Sequence, residues 1–299
     1  VTPEPGWARR WQLTAPLAAL SRPVRADWPE AAGPPAPEAA PAGRAIPVHL
    51  GGAAARQVDG TTCGSAVLVM LAAAGDPALA AWLETGALPA GPAGLPPELP
   101  AEPEGLDAAG RFAAAQHRVK EATARRALGP LPWPRALGTP PWTAARAARF
   151  PGVRYRVRPV DDGAAGVHGV LAAVLHATRR GLPVPLYTGG DARSGLGAAV
   201  PRHVVLAVPP PPEARHRDSA VLDVYEPSGG AVHRVPLAAL VGRTRPHPAL
   251  GGWTHVCVAL LPVPTREPAP RCGPGPHRSD WGGRTGDRPG SGSGPCRTT

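Results

Sequence analysis

An α+β fold is predicted for this 299-residue chain, with helices gathered mainly in its first half and strands in its second. Two patterns predict it. An apolar run from Ala66 follows Cys63 to about Ala74 as a buried helix would, and apolar residues recur at helical spacing over 78–85 and 106–128. Short runs rich in Val, Leu and Ala, at 182–188, 201–208, 220–227 and 253–261, read as strands. Segregated helices and strands of this kind fit a helical half packed on an antiparallel sheet.

Residues 1–46 are Pro- and Ala-rich, with scattered Trp7, Trp11 and Trp28, and read as an irregular lead-in. Ile46 to Leu50 reads as a short strand ending at Gly51-Gly52. The helix that starts at Cys63 runs to about Ala74 and stops at Gly75-Asp76-Pro77. A second helix, Ala78 to Thr85, spaces Leu79, Trp82 and Leu83 on one side. Prolines and glycines over 86–105 remove donors and add backbone entropy, so this stretch is a loop, most simply a surface insertion. A helical pattern from Leu106 to Leu128 closes at Gly129-Pro130. The run Pro132 to Trp142 is a rigid loop with two tryptophans about Arg135, and Thr143 to Arg149 is a short helix. Val153 to Arg158 alternates apolar and basic residues as a strand with one wet face does. Gly169 to Arg180 is a helix capped by Gly181, and the strands of the second half follow it. Residues 47–263 thus form one domain, and the Gly/Pro/Arg-rich segment 264–299 is expected to be disordered.

Composition narrows the class of function. Proline (43) and glycine (37) exceed a quarter of the chain, so its ordered part is smaller than its length suggests. The net charge of +10 is spread as +1, +6 and +3 over the three segments, and no basic stripe alternates with aromatics. A nucleic-acid partner is therefore not expected. Cys63, Cys257, Cys272 and Cys296 lack metal-ligand spacing, and no CxxC or HExxH occurs, so neither a metal nor another cofactor is expected. No run has the length of a membrane span, and Val1 to Pro5 lacks a basic region before an apolar core. A cytoplasmic protein is the resulting expectation.

The stretch Gln57-Val58-Asp59-Gly60-Thr61-Thr62-Cys63-Gly64-Ser65, followed at once by an apolar helix, carries the chemistry. A helix start offers free N–H groups and a positive dipole end, which favour an ionised sulfur. The Gln57 amide, six residues upstream, can donate to the oxyanion formed when that sulfur attacks a carbonyl. This spacing, with Cys-Gly-Ser, resembles the papain-like cysteine peptidases. The helix and Gly181-Leu182-Pro183-Val184 strand before a histidine resemble their bacteriocin leader-processing branch. The resemblance implies a papain-like α+β fold, with the Cys63 helix packed on an antiparallel sheet that bears a histidine and an acid.

Among ten histidines, His203 opens an apolar strand beside a Gly-rich loop and follows the cysteine in sequence, as that order requires. His255 is the runner-up, read as a structural histidine sharing a face with Cys257. His168, His176, His216, His233 and His247 fall in helix or loop contexts. Two acids compete to orient the imidazole. A simple hairpin with its turn centred between 214 and 215 sets Glu226 opposite His203 and Asp223 opposite Leu206. Glu226-Pro227 also stands where the leader-processing peptidases carry Asp-Pro, one methylene shorter. Asp223 stays as the alternative acid.

The expected function is a stand-alone cysteine peptidase or amidase acting on a peptide or protein through Cys63, His203 and Glu226, with Gln57 as oxyanion donor. A catalytically silent peptide-binding member of the same fold and a transglutaminase-like acyltransferase are the alternatives.

Overall fold

The computed structural model describes residues 14, 17–18, 45–88, 94–125, 127–162, 167–190, 201–212, 215 and 220–265. Most of the lead-in, the greater part of the Gly-rich loop before His203, and the tail from 266 onward lie outside the described residues.

Helices and antiparallel strands are both present, in an α+β arrangement. Strands β1 (Ala45–Pro47), β4 (Val153–Pro159), β5 (Val184–Gly189), β6 (His203–Val208), β7 (Val221–Glu226), β8 (Ala231–Pro236) and β9 (His255–Pro264) form one sheet in the order β1-β8-β7-β6-β5-β9-β4. Every neighbouring pair in it is antiparallel. A small hairpin, β2 (His49–Leu50) with β3 (Ala53–Ala54), turns through Gly51 and Gly52, both with positive φ. The segment expected as one strand over 46–50 is therefore split. Its first part joins the sheet edge at Ala45.

Helix α1 (Cys63–Gly75) is central. Nine of its thirteen residues are buried, which explains why it shows little amphipathic periodicity in the sequence. It packs on α2 (Pro77–Thr85), α3 (Ala108–Ala124), α4 (Pro141–Ala147) and strands β5 and β6. The α1–α2 corner is held by Asp76, whose Oδ1 accepts from the N–H groups of Ala78 and Leu79 and caps α2. Its Oδ2 accepts from Arg149 at 2.6 Å, and the same guanidinium forks onto buried Glu98 at 3.0 and 2.7 Å. Burial works against the charge of Arg149, but Glu98 and Asp76 outweigh it and raise its pKa. Arg111 closes the other end of α2 by donating to the carbonyls of Leu83 and Glu84. Leu79, Trp82 and Leu83 are wholly buried, each contributing about 1.5–3 kcal/mol of apolar transfer.

Helix boundaries differ from expectation by a few residues where caps decide them. The third helix starts at Ala108 because the Asp107 carboxylate accepts from Gly110 N–H, and it ends at Ala124, before the expected Leu128. The fourth begins at Pro141, a residue suited to a first helical turn. The fifth, α5, spans Val167–Arg179. Residues 86–105 carry no helix or strand among those described.

Two expectations are corrected. His233 sits on strand β8, not in a helix or loop. That strand is short and follows the Gly229-Gly230 turn, so its alternation is hard to separate from loop. The β6–β7 register is also offset. Leu206 pairs with Tyr225, Ala207 with Val224 and Val208 with Asp223, a two-residue shift from the symmetric hairpin. Pro209 to Pro212 have no N–H and cannot extend the ladder, so the turn does not set the register and burial does. No single helix among the described residues is long and apolar enough to cross a membrane.

Candidate active site

Cys63 is the first residue of α1, 4% exposed, and its backbone N–H belongs to the turn with no intrahelical partner. The loop leading into it is tied down residue by residue. The Asp59 carbonyl accepts from Thr62 N–H (3.2 Å), Thr62 Oγ1 (3.0 Å) and Gln57 Nε2 (2.8 Å). The Asp59 carboxylate accepts from Thr61 N–H and Thr61 Oγ1, and Lys120 bonds Thr61 Oγ1 from α3. Fully buried Gln116, also on α3, accepts from Val58 N–H and donates to Arg56 O, clamping the chain on both sides of Gln57. Gln57 N–H donates to Pro227 O at 2.8 Å, linking this loop directly to the residue after Glu226.

The motif's Gly64 has a steric reason. A Cβ there would lie 2.7 and 2.8 Å from Thr139 Cβ and Oγ1. Thr139 thus seats against the start of the Cys63 helix. Its hydroxyl is buried without a partner among the described residues, while its carbonyl accepts from Tyr187 O–H at 3.0 Å. Burial, with the nearby Cys63 charge, holds Tyr187 protonated by raising its pKa well above the usual value.

The His203 side chain meets both other members of the expected triad. Its Nε2 is 2.8 Å from Glu226 Oε1, and Cys63 lies near enough to raise the ring's pKa. An ionised carboxylate only accepts, so Nε2 carries the proton and Nδ1 is left for the sulfur. Burial pushes the His203 pKa down, but the Cys63 and Glu226 interactions outweigh it and raise the ring to about 9. Burial likewise pushes Glu226 up, and hydrogen bonds from His203, Ser228 and Gly229 overcome it and bring the carboxyl to about 2. The glutamate accepts from Ser228 N–H (2.9 Å), Ser228 Oγ and Gly229 N–H (2.7 Å) in addition to the ring.

The extra methylene of glutamate matters here. Continuing the observed register places Glu226 beside Val205, so it is a diagonal neighbour of His203 on the same face. A diagonal pair is within reach of a long side chain. Asp223, three residues earlier, points to the opposite face and pairs with Val208. Its Oδ1 is buried without a partner among the described residues, and burial, opposed by Arg234, raises its pKa. The alternative acid therefore does not reach His203.

Gln57 is joined to the residue after Glu226 through its backbone, and its side chain is committed. Its Nε2 donates one hydrogen to the Asp59 carbonyl, and its Oε1 is buried without a partner among the described residues.

Two features escaped the sequence reading. Gly251, with φ +66°, lies against His203, and a Cβ there would come within 2.5 Å of Nε2. Asp162, fully buried, accepts from His255 Nδ1 at 3.0 Å and from Val256 N–H at 2.9 Å. His255 is thus partnered by Asp162. Burial and Asp162 push the Cys257 thiol up to about 12. Gly251 left only a Gly-Gly pair in the sequence, and Asp162 lies 93 residues from its partner.

Cys63 opens onto a cavity of about 500 Å³ walled by Leu137, Pro140, Trp142, Tyr187 and Val258. Trp133 also lines it and meets Trp142 edge to face at 5.3 Å. No group of three or more metal-ligating side chains occurs among the described residues. No protein-family model matches the chain, and no curated protein or solved structure matches it.

Proposed function

We propose that this chain is a papain-like cysteine peptidase or amidase, akin to the bacteriocin leader-processing branch. The observation that carries the proposal is the His203 ring, held through Nε2 to Glu226 at 2.8 Å and close enough to Cys63 for it to raise the ring's pKa. In the reaction, the His203 ring, raised to about 9, already holds the Cys63 proton at neutral pH, and the ionised sulfur attacks an amide carbonyl carbon. The new oxyanion is held by the Cys63 backbone N–H and by the remaining hydrogen of Gln57 Nε2. The imidazolium then gives its proton to the leaving amine, and the C–N bond breaks to a thioester. Water, deprotonated by His203, cleaves the thioester and returns the thiol. Glu226 keeps the ring in the required tautomer and stabilises its charge.

A ring held near pKa 9 retains the proton it receives until the leaving group needs it. A second reading, the catalytically silent peptide binder, is favoured by the hydrogen bond between Gln57 and Asp59, which occupies part of the oxyanion donor.

The test is incubation of the full chain with a peptide mixture and free alkylamine, read by mass spectrometry, beside Cys63→Ser. Cleaved peptides that vanish with the variant support hydrolysis. Amine incorporation instead would indicate the acyltransferase, and an unchanged mixture would favour the silent binder.

A further inference from the structure

Two cavities meet at Trp133. The first, beside Cys63, is walled by proline, leucine and tryptophan side chains, with exposed Arg202 at its rim. The second, about 610 Å³, is lined by His117, Lys120, Glu121, Arg125 and Arg135 together with Trp133 itself. Its cations outnumber its one acid. Arg125 is paired with Glu121 at 2.8 Å, and Lys120 with Asp59 at 3.8 Å. Arg135 is exposed, on a 3-10 turn (Arg135–Leu137), and has no ion pair among the described residues. Trp133, common to both cavities, is anchored by its backbone N–H to Ala124 O, while its indole N–H is buried without an acceptor among the described residues.

An apolar pocket at a nucleophile and a cationic shelf one tryptophan away would read two features of a single ligand. Apolar side chains favour the first, because it is walled by carbon and desolvation there costs a charged group heavily. Carboxylates favour the second, where an unpaired guanidinium offers a planar fork of donors. Trp133 is the rigid divider between them.

We propose that the substrate is a peptide bearing a large apolar residue beside the bond to be cut and an acidic residue further along. The apolar residue occupies the Cys63 cavity and the acid rests on Arg135. This rests on the peptidase reading above, and it is tested by binding alone so that the two can fail separately.

Full-length Cys63→Ser is titrated into fluorescein-labelled nonapeptides carrying one phenylalanine and two glutamates at varied separation, and anisotropy is followed. At least one spacing should bind at least tenfold more tightly than the same peptide with lysines for glutamates or glycine for phenylalanine. Arg135→Glu should erase or invert the charge preference, and Arg135→Gln should weaken it, with unchanged circular dichroism. Equal binding of all peptides, no binding of any, or an unaltered preference in both variants would overturn the proposal. So would displacement by an oligonucleotide as effective as by unlabelled peptide, which would mark a general polyanion site. Binding as expected together with unselective alkylation of wild-type Cys63 would sink the peptidase reading alone.

Discussion

Replacing Glu226 by glutamine keeps the shape of the side chain and removes its charge. In the native site one carboxylate oxygen accepts from His203 Nε2 and from both donors of Ser228, and the other from Gly229 N–H. The amide oxygen of glutamine can replace the first oxygen. Its NH2 must then face the Gly229 N–H, donor against donor. The ring keeps a hydrogen bond but loses the negative charge that favours its protonated form. A hydrogen bond to a charged group is worth about 1.5–3 kcal/mol. At about 1.4 kcal/mol per decade, turnover should fall by about 10- to 150-fold. The assay is kcat/KM on a fluorogenic peptide, with the His203 titration followed by NMR and expected to move down from about 9. Asp223→Asn, on the other sheet face, should leave both nearly unchanged. A Glu226→Gln enzyme within threefold of wild type, or a larger loss from Asp223→Asn, would refute the reasoning.

Other expectations follow from the same geometry. Gln57→Ala should lower kcat about a hundredfold while leaving alkylation of Cys63 unchanged, because it acts on the oxyanion and not on the thiol; unaltered turnover would remove Gln57 from the site. Gly251→Ala, strained at φ +66° and crowding the His203 ring, should cost turnover by more than tenfold and shift the His203 NMR signals, and an unperturbed ring would contradict the contact. Thermal stability should carry a pH signature. The His203 contribution is complete below about 6.5 and is lost as pH rises through about 9, while that of Glu226 is complete above about 4.5 and is lost as pH falls through about 2. Melting curves should therefore show a loss between pH 6.5 and 9 that is absent in His203→Asn, and parallel curves for both proteins would contradict it.

The members of this site were legible in the sequence to different degrees. Cys63 could be placed because an unbroken apolar helix begins at it, and His203 because it opens a strand made of Val, Leu and Ala. Glu226 could be chosen over Asp223 because side-chain direction depends on parity, which survives a register shift of two. The shift itself was not legible, since four prolines and a long loop leave the turn without a fixed centre. Nor were Gln116 and Thr139, whose roles depend on which loop backbone packs on them. Strand β8 is missed because a six-residue alternation after Gly-Gly has little periodic signal.

The central claim is that Cys63 is the activated thiol of this chain, and its selective alkylation tests that most directly. Iodoacetamide at pH 6, followed by peptide mapping, compares all four cysteines in one experiment. Cys63 should be labelled first, through the cavity beside it, and its labelling should slow in His203→Ala. Cys257, buried and with its pKa pushed up to about 12, should stay unmodified in the folded protein. Labelling of Cys63 no faster than that of Cys272 or Cys296, or unaffected by loss of His203, would contradict the account.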